Sequence, residues 1–329
     1  MTIPSPVNLG IGVIGVGRHG SRYVNHLLRD VPGITLAALC RRRSSQGSGN
    51  IHLPAIPVYG DYHALITDPN VHAIVVVTPP TLCHDVCLAA IRASKPLLIE
   101  KPLAPSAHEA RAMVLAANQA NVLLMTAHTM RFDPTIDKVK ELLPRIGILR
   151  SARMTSHIEF TSGTVVSDFG QRGALLEIGI HLLDAIRYLT GDEVRAVQCE
   201  MDPVPPAGPE LRASVALETQ RGIKVQINIA RVPTGRIAHM TWVGTSGQLN
   251  ADWSHCGISL MGSEGISEQW TVEARPTILA ALEAFILAIR TKTRPPVTGE
   301  DGQRAVEIAE ACYQSAARGG ALAQVAYSP

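Results

Sequence analysis

Apolar runs alternate with helix-like segments through the first third of the chain. Nearly continuous apolar stretches occupy residues 11–14, 34–39, 71–77, 97–99 and 122–125, each the length of a strand. Such runs are typical of strands that a parallel sheet buries on both faces. Helical segments are predicted between them, at 21–29, 62–66 and 81–93 and in a segment that ends at 120. The alternation of strand and helix predicts a doubly wound α/β sheet.

The second half of the chain has a different pattern. Strand candidates follow one another at 146–159, 195–201, 212–218, 223–232 and 238–243, and residues 224–229 alternate strictly between polar and apolar. Such strands expose one polar face and bury one apolar face, which the helices predicted at 277–290 and 302–317, or another subunit, must cover. Further helices are predicted at 134–143 and 174–189. We therefore predict two domains, residues 1–127 and 128–329.

A glycine-rich turn follows the first apolar run. Gly15, Gly17 and Gly20 form the pattern G-x-G-x-x-G between a predicted strand and a predicted helix, with Arg18 and His19 inside it. A dinucleotide site needs this order, because the glycines permit a tight turn, a close approach to a pyrophosphate and close helix packing. The alternative is a loop that is merely rich in glycine. The flanking segments favour a dinucleotide-binding site.

Composition narrows the class of protein only slightly. The 329 residues are 46% hydrophobic and 18% charged, with a formal net charge of +2, which gives no reason to expect a nucleic-acid partner. The first ten residues contain neither a basic region nor a long apolar run, and no apolar stretch has membrane-spanning length. We expect no signal peptide, no membrane association and a cytoplasmic location.

Six cysteines are scattered along the chain, and we expect them to be free thiols. Cys83 and Cys87 lie one helical turn apart beside His84, a spacing that could suit a metal. No second pair of ligands completes such a site, so no metal is predicted.

The end of the second strand carries Arg41 and Arg42, with no carboxylate between Asp30 and Asp61. An NAD enzyme usually places an acidic residue there, on the ribose 2′-hydroxyl. A guanidinium can instead bind a 2′-phosphate through paired hydrogen bonds. A solvated basic turn and a nucleic-acid patch are the alternatives. We predict a cofactor site that prefers NADP(H), with NAD(H) possible.

Two further strand ends carry polar residues. Thr78 and Pro79 follow the third buried run, with His84 in the first turn of the next helix, and Glu100 and Lys101 follow the fourth. Ligands of open α/β sheets bind beyond the carboxyl ends of the strands, so these residues are predicted to border the cofactor. The alternatives are a solvated side chain for His84 and an exposed ion pair at Glu100 and Lys101.

The helix predicted at 174–189 carries three titratable groups among apolar neighbours. Glu177, His181 and Asp184 are spaced i, i+4 and i+7 and would share one face of a regular helix. Titratable groups on a buried helix are costly unless they are paired or used. The chemical interpretation is a catalytic histidine. The alternatives are a core histidine held by Glu177 or Asp184, with Asp184 paired to Arg187, and a metal site.

Several segments together resemble one family of oxidoreductases. GVIGVGRHG, VVVTPP with the following histidine, KPLLIEKPLA, MRFDP and GALLEIGIHLLD are similar to the glucose–fructose oxidoreductase, inositol dehydrogenase and MocA family. The resemblance implies a Rossmann domain, then an α/β domain with a broad, mostly antiparallel sheet. It also implies a nicotinamide cofactor, a sugar or cyclitol substrate, and a homodimer or homotetramer formed through the second sheet.

The chain departs from the family pattern at two positions. Pro80 stands where asparagine is common, and Glu177 stands where aspartate is usual. His128 precedes Met130-Arg131-Phe132, a stretch that often lines the cofactor in the family.

These observations predict an oxidoreductase that transfers a hydride between a nicotinamide and a carbinol or carbonyl carbon. His181 is the predicted general base, Glu177 would orient it, and Lys101 would stabilise the substrate oxygen. A nucleotide-sensing regulator without catalysis, and a reductase acting on a substrate other than a sugar, are the alternative functions.

Overall fold

The computed structural model describes residues 8–41, 56–160, 172–204, 207–263, 265 and 267–327. Contacts divide these residues into two compact units. The first consists of the described parts of 1–104, 108–127 and 276–303, and the second of those of 105–107, 128–275 and 304–329. The domain division that we place at residue 127 stays a prediction.

A six-stranded parallel sheet forms the centre of the first unit. Its strands and helices are β1 (Leu9–Ile14), α1 (Gly20–Arg29), β2 (Ile34–Cys40), β3 (Val58–Tyr59), α2 (Tyr62–Thr67), β4 (Ala73–Val76), α3 (Pro80–Arg92), β5 (Leu97–Glu100), α4 (Ala107–Ala120) and β6 (Leu124–Ala127). The strand order is β3-β2-β1-β4-β5-β6. Every residue of β4, β5 and β6 is buried, as the continuous apolar runs predict for a sheet covered on both faces.

The second unit contains a nine-stranded sheet. Its elements are α5 (Pro134–Leu142), β7 (Leu149–Glu159), α6 (Ile180–Thr190), β8 (Val194–Asp202), β9 (Arg212–Thr219), β10 (Lys224–Val232), β11 (Ile237–Gly244), β12 (Gly247–Asp252), β13 (Gly257–Gly262), β14 (Ser267–Thr271) and β15 (Ala323–Gln324). The order is β14-β13-β12-β11-β7-β10-β9-β8-β15, and its pairs are antiparallel except the parallel pair of β7 and β10. The expected α/β architecture is confirmed.

The two faces of this sheet differ, as the alternation along 224–229 predicts. Val225, Ile227 and Ile229 are buried, whereas Lys224, Gln226 and Asn228 are exposed or half-buried. A π-helical turn at Leu175–Gly179 packs on β7 and β10, and α5 packs on β12 and β13, so these elements cover the apolar face.

Two helices follow near the end of the chain, α7 (Thr277–Thr291) and α8 (Gly299–Ala316). α7 packs against α1 and β6 of the parallel sheet. The expectation that it covers the second sheet is therefore wrong, because an apolar helix pattern does not specify which apolar surface it meets. The pattern between residues 243 and 277 predicts no strand, so β12, β13 and β14 are not expected from the sequence.

Among the described residues, no helix combines the length and the apolar character that crossing a bilayer requires.

Candidate functional site

The glycine turn lies directly after β1 and has the geometry of a phosphate-binding loop. Gly15 has a φ of +95°, and a Cβ there would lie 2.3 Å from the Val77 carbonyl oxygen. A Cβ on Gly20 would lie 1.9 Å from the Gly15 carbonyl oxygen. A Cβ on Gly17, in contrast, meets no described heavy atom within 4 Å. The first and third glycines are therefore needed for packing, and the second faces open space that a ligand can approach.

A buried carboxylate ties this loop to the end of β5. Glu100 Oε1 accepts hydrogen bonds from the Tyr23 hydroxyl and from His19 Nε2, the latter at 2.7 Å, and Glu100 Oε2 accepts one from the Lys101 backbone N–H at 3.0 Å. Burial by itself would raise the pKa of Glu100, but the hydrogen bond and charge of His19 and the charge of Lys101 lower it below its usual value. Glu100 is thus a fixed negative charge under the loop.

The other residues predicted for this end of the sheet follow the neighbouring strands. Lys101 follows β5 and is half-buried, and its peptide bond to Pro102 is cis. Thr78 and Pro79 lie between β4 and α3, where the Thr78 hydroxyl is 3.5 Å from the Cys83 sulfur. The His84 side chain is 3.2 Å from Asp85. Because β1, β4 and β5 are adjacent and parallel, these groups share the carboxyl edge with the glycine turn.

Arg41 also lies beside this turn. Its backbone N–H donates to the Tyr59 carbonyl at 3.1 Å, and the preceding Cys40 carbonyl accepts a hydrogen bond from Gly15 N–H at 3.0 Å. Arg42 lies outside the described residues. Asp61, which caps α2 through the His63 N–H, also follows this edge, and its charge adds to burial in raising the pKa of Cys40. A cation and a carboxylate therefore both occur near the end of β2.

The first turn of the helix that carries Glu177 is unusual. The expected regular helix over 174–189 is wrong at its start, where Leu175–Gly179 form a π-helical turn before α6. π-helical turns are rare in proteins, and those that occur are often found at functional sites. The fully buried Glu210 holds this turn: its carboxylate accepts from the backbone N–H groups of Gly173 and Leu175, each at 2.9 Å. A cap contributed from outside the helix thus fixes where the turn begins.

Glu177 points to the sheet from this turn. Its carboxylate forms an ion pair with the guanidinium of Arg231 on β10, whose side chain is 4% exposed. Gly179 allows the turn to approach, since a Cβ there would lie 2.6 Å from Ile229 Cδ1. Arg231 is not among the site residues predicted from the sequence. It follows the alternating run 224–229, where a cation on the apolar side of a strand is the signal that could have revealed it.

His181 and Asp184 belong to a second cluster of polar side chains. The Asp184 carboxylate is bound in bidentate fashion by Arg131, with Nε to Oδ2 at 2.7 Å and Nη2 to Oδ1 at 2.6 Å. His128 is fully buried, with Nδ1 4.0 Å from Asp184 Oδ2. Its ring lies edge-to-face on the His181 ring, with centroids 6.2 Å apart and an 84° interplanar angle. We name these four residues, His128, Arg131, His181 and Asp184, the histidine cluster.

Arg187 has a smaller role at Asp184 than the sequence suggested. Its guanidinium binds Glu193 at 2.7 and 2.8 Å and is 3.9 Å from Asp184. Arg131, 53 residues away in sequence, is the main partner of Asp184, and helical spacing cannot reveal such a partner.

Cys83 and Cys87 are buried free thiols, and burial raises the pKa of each to about 12. Over the described ranges, no group of three or more His, Cys, Asp or Glu side chains is arranged to hold a metal ion.

The first unit fits a dinucleotide, because the open position at Gly17 adjoins the N-terminus of α1.

Comparison with known proteins agrees with this geometry. Residues 9–128 match the model of the oxidoreductase family with an NAD-binding Rossmann fold, and residues 137–250 match the GFO/IDH/MocA C-terminal domain. A myo-inositol 2-dehydrogenase of Thermotoga maritima is 28% identical over 321 residues, 93% of this chain and 95% of that protein. An inositol 2-dehydrogenase of Paracoccus denitrificans is 31% identical over 229 residues, 68% and 67% of the two chains.

A solved structure shares the fold. Aldose–aldose oxidoreductase from Caulobacter crescentus, crystallised with glycerol, superposes with a TM-score of 0.82 at 24% identity and covers 96% of this chain and 99% of its own. The fold and the glycine turn define a nicotinamide-nucleotide oxidoreductase with a Rossmann domain. The chain belongs to the GFO/IDH/MocA family.

Proposed function

We propose that this protein is an NAD(P)-dependent dehydrogenase that oxidises a carbinol carbon of a sugar, a cyclitol or a related polyol, or reduces the corresponding carbonyl. The observation that carries the proposal is the carboxyl edge of the parallel sheet, where open space at Gly17 adjoins the Glu100–Lys101 strand end. The substrate class is supported by the two inositol 2-dehydrogenases that the chain resembles.

The first unit would hold the nucleotide. The backbone at Gly17, Arg18 and His19 would face the pyrophosphate at the start of α1, while Thr78, Pro79 and His84 would border the rest of the cofactor. When bound, the nicotinamide accepts or donates the hydride. Glu100 holds the His19 ring at Nε2, beside the loop that would face the pyrophosphate.

Two side chains would act on the substrate hydroxyl, and a third would support the base. The His181 imidazole would accept its proton, since an imidazole ordinarily titrates near neutral pH. Lys101 Nζ would donate a hydrogen bond to the same oxygen and stabilise its developing negative charge. Glu177, whose carboxylate pairs with Arg231, would help to orient the His181 ring, and this role stays a prediction. In the reducing direction, the same groups return the proton.

Two substitutions test these roles. In His181→Ala, kcat should fall by a factor of about 100 or more, with the Kd of the nucleotide changed less than threefold. Lys101→Met should fold and bind nucleotide normally but turn over slowly. Turnover would be screened on inositols and aldoses with both nucleotides. Nucleotide binding with no turnover on the panel would favour a nucleotide-sensing regulator, and loss of folding in Lys101→Met would favour a structural role for Lys101.

We further propose a preference for NADP(H). The proposal is supported by Arg41, which follows β2 next to the Gly15 turn. Asp61 at the same edge favours the alternative, NAD(H), because its carboxylate would repel a 2′-phosphate. Calorimetric titration of Arg41→Ala and Asp61→Asn with NADPH and NADH separates the two. Arg41→Ala should weaken NADPH about tenfold and leave NADH unchanged. Wild-type protein that binds NADH more tightly would refute the preference.

We also propose a homodimer or homotetramer formed through the polar face of the nine-stranded sheet. This face holds a cavity of about 670 Å³ lined by residues such as Arg153, Gln226 and Thr241. Val243 on β11 borders it and is 37% exposed. Val243→Glu should convert the oligomer to monomers in light scattering, whereas Leu115→Glu, at an exposed position of α4, should not. A monomeric wild-type protein would refute the proposed assembly.

The cytoplasmic location stays a prediction from the sequence.

A further inference from the structure

The ring of a general base must be oriented, and the His181 side chain does not orient itself. The torsion that turns an imidazole about its bond to Cβ has broad, shallow preferences, so the ring plane is set by its neighbours. Proton transfer, however, requires a nitrogen held within hydrogen-bond reach of the proton. The question is which group fixes the plane of His181.

The histidine cluster provides a neighbour with a defined geometry. The rings of His128 and His181 meet at 84° with their centroids 6.2 Å apart, the edge-to-face arrangement that aromatic rings prefer. His128 has no solvent exposure, so its ring cannot move away into water. His128 therefore occupies one side of His181 and restricts the rotation of that ring.

His128 is in turn placed beside a fixed carboxylate. Asp184 is fully buried, and the planar fork of Arg131 grips both of its oxygens. Its Oδ2 atom lies 4.0 Å from His128 Nδ1. His128 directly precedes the 3₁₀ turn Thr129–Phe132 that carries Arg131, while Asp184 and His181 lie three residues apart on α6. The segment from His128 to Arg131 thus contacts α6 at two points, through Arg131 with Asp184 and through His128 with His181.

We propose that His128 is a positioning residue for His181: the buried ring of His128, which lies beside the Arg131–Asp184 pair, limits the orientations that the ring of the base can take. The inference rests on the proposed function, because it needs His181 to be the general base. It goes beyond that function by assigning a role to His128, and to Arg131 and Asp184 through it. The charged groups around His128 in this cluster are Asp184, which is 4.0 Å from Nδ1, Arg131, which binds Asp184, and Arg187, which is 3.9 Å from Asp184.

The test compares two substitutions at position 128. His128→Ala removes the ring, and His128→Phe keeps the ring but removes Nδ1, which faces Asp184. Both should lower kcat, by about a hundredfold for alanine and about tenfold for phenylalanine, while KM and the Kd of the nucleotide change less than threefold. His255→Phe is the matched control, since that histidine is 79% exposed on the β12–β13 turn and should leave kcat unchanged.

A spectroscopic readout makes the test independent of turnover. In protein labelled with ¹⁵N-histidine, the His181 signal is identified by its loss in His181→Ala. This signal should shift or broaden in both His128 variants and stay unchanged in His255→Phe. If the His128 variants fold poorly, Arg131→Lys, which keeps the charge but loses the fork, should change the same His181 signal.

The outcomes separate this inference from the proposed function. Wild-type turnover in His181→Ala would refute the general base, whatever happens at position 128. Loss of turnover in His181→Ala, with unchanged kcat and unchanged His181 signals in both His128 variants, would refute the positioning role alone. A His128→Phe variant that behaves as wild type in both readouts would refute the part played by Asp184.

Discussion

Removing one partner of the buried Arg131–Asp184 pair should strongly destabilise the second unit. The pair is 9% and 0% exposed and makes two charge-assisted hydrogen bonds, at 2.7 and 2.6 Å. Arg131→Met would leave the Asp184 carboxylate buried without these bonds. Breaking a buried pair on one side costs about 3–5 kcal/mol. Because Arg187 remains 3.9 Å from Asp184, we expect the lower end, about 3 kcal/mol.

Urea unfolding followed by tryptophan fluorescence measures this loss. The chain has three tryptophans, Trp242, Trp253 and Trp270, and all belong to the second unit, so the signal reports on the unit that contains the pair. A loss of about 3 kcal/mol should lower the melting temperature of a unit of this size by roughly 6–12 °C. The double variant Arg131→Met, Asp184→Leu should recover much of the loss, because it leaves no buried charge without a partner.

An exposed ion pair is the control. Arg195 and Glu218 are 57% and 37% exposed and 3.0 Å apart, so Arg195→Met should cost less than about 1 kcal/mol. If Arg131→Met costs no more than Arg195→Met, the buried pair does not stabilise the unit.

Three further predictions concern the glycine turn, an acidic transition and thiol reactivity. Gly17→Ala should melt within about 2 °C of wild type yet bind nucleotide at least tenfold more weakly. Gly20→Ala should unfold at a lower temperature, because its Cβ would lie 1.9 Å from a carbonyl oxygen. Equal melting temperatures of the two variants would contradict this. Burial by itself would raise the pKa of Asp252, but hydrogen bonds from Ser254 and His255 in the following turn lower it to about 2. A lowered folded-state pKa contributes stability that is present above about pH 4 and is lost between about pH 4 and pH 2, so Asp252→Asn should flatten acid unfolding in that window. Cys256 is the one partly exposed cysteine and should react first with a thiol reagent in native protein, well before Cys83, whose pKa burial raises to about 12.

The architecture of the first unit is close to what the sequence predicts. Each buried strand of the parallel sheet coincides with an apolar run, and α2 begins at Tyr62, the first residue of the helix predicted at 62–66. These features depend on residues that are near one another in the chain, so local patterns are sufficient to find them.

The antiparallel sheet was harder to predict. The short strand β14 has no buried residue, and β12 and β13 alternate over only six residues each, so their patterns are weak. Pairing with neighbours makes them strands, and pairing does not appear in a local pattern.

The sequence by itself determined the dinucleotide turn, the parallel order of strand and helix, and the residue types that could carry hydride-transfer chemistry. The tertiary structure decided the partners: Arg231 for Glu177, Arg131 for Asp184, and His128 for the His181 ring. It also replaced a regular helical turn with a π-helical one at Glu177. The physical reason is that buried charges and rings are satisfied by whatever group the fold brings near, at sequence separations of about 50 residues, and helical spacing contains no information about such groups.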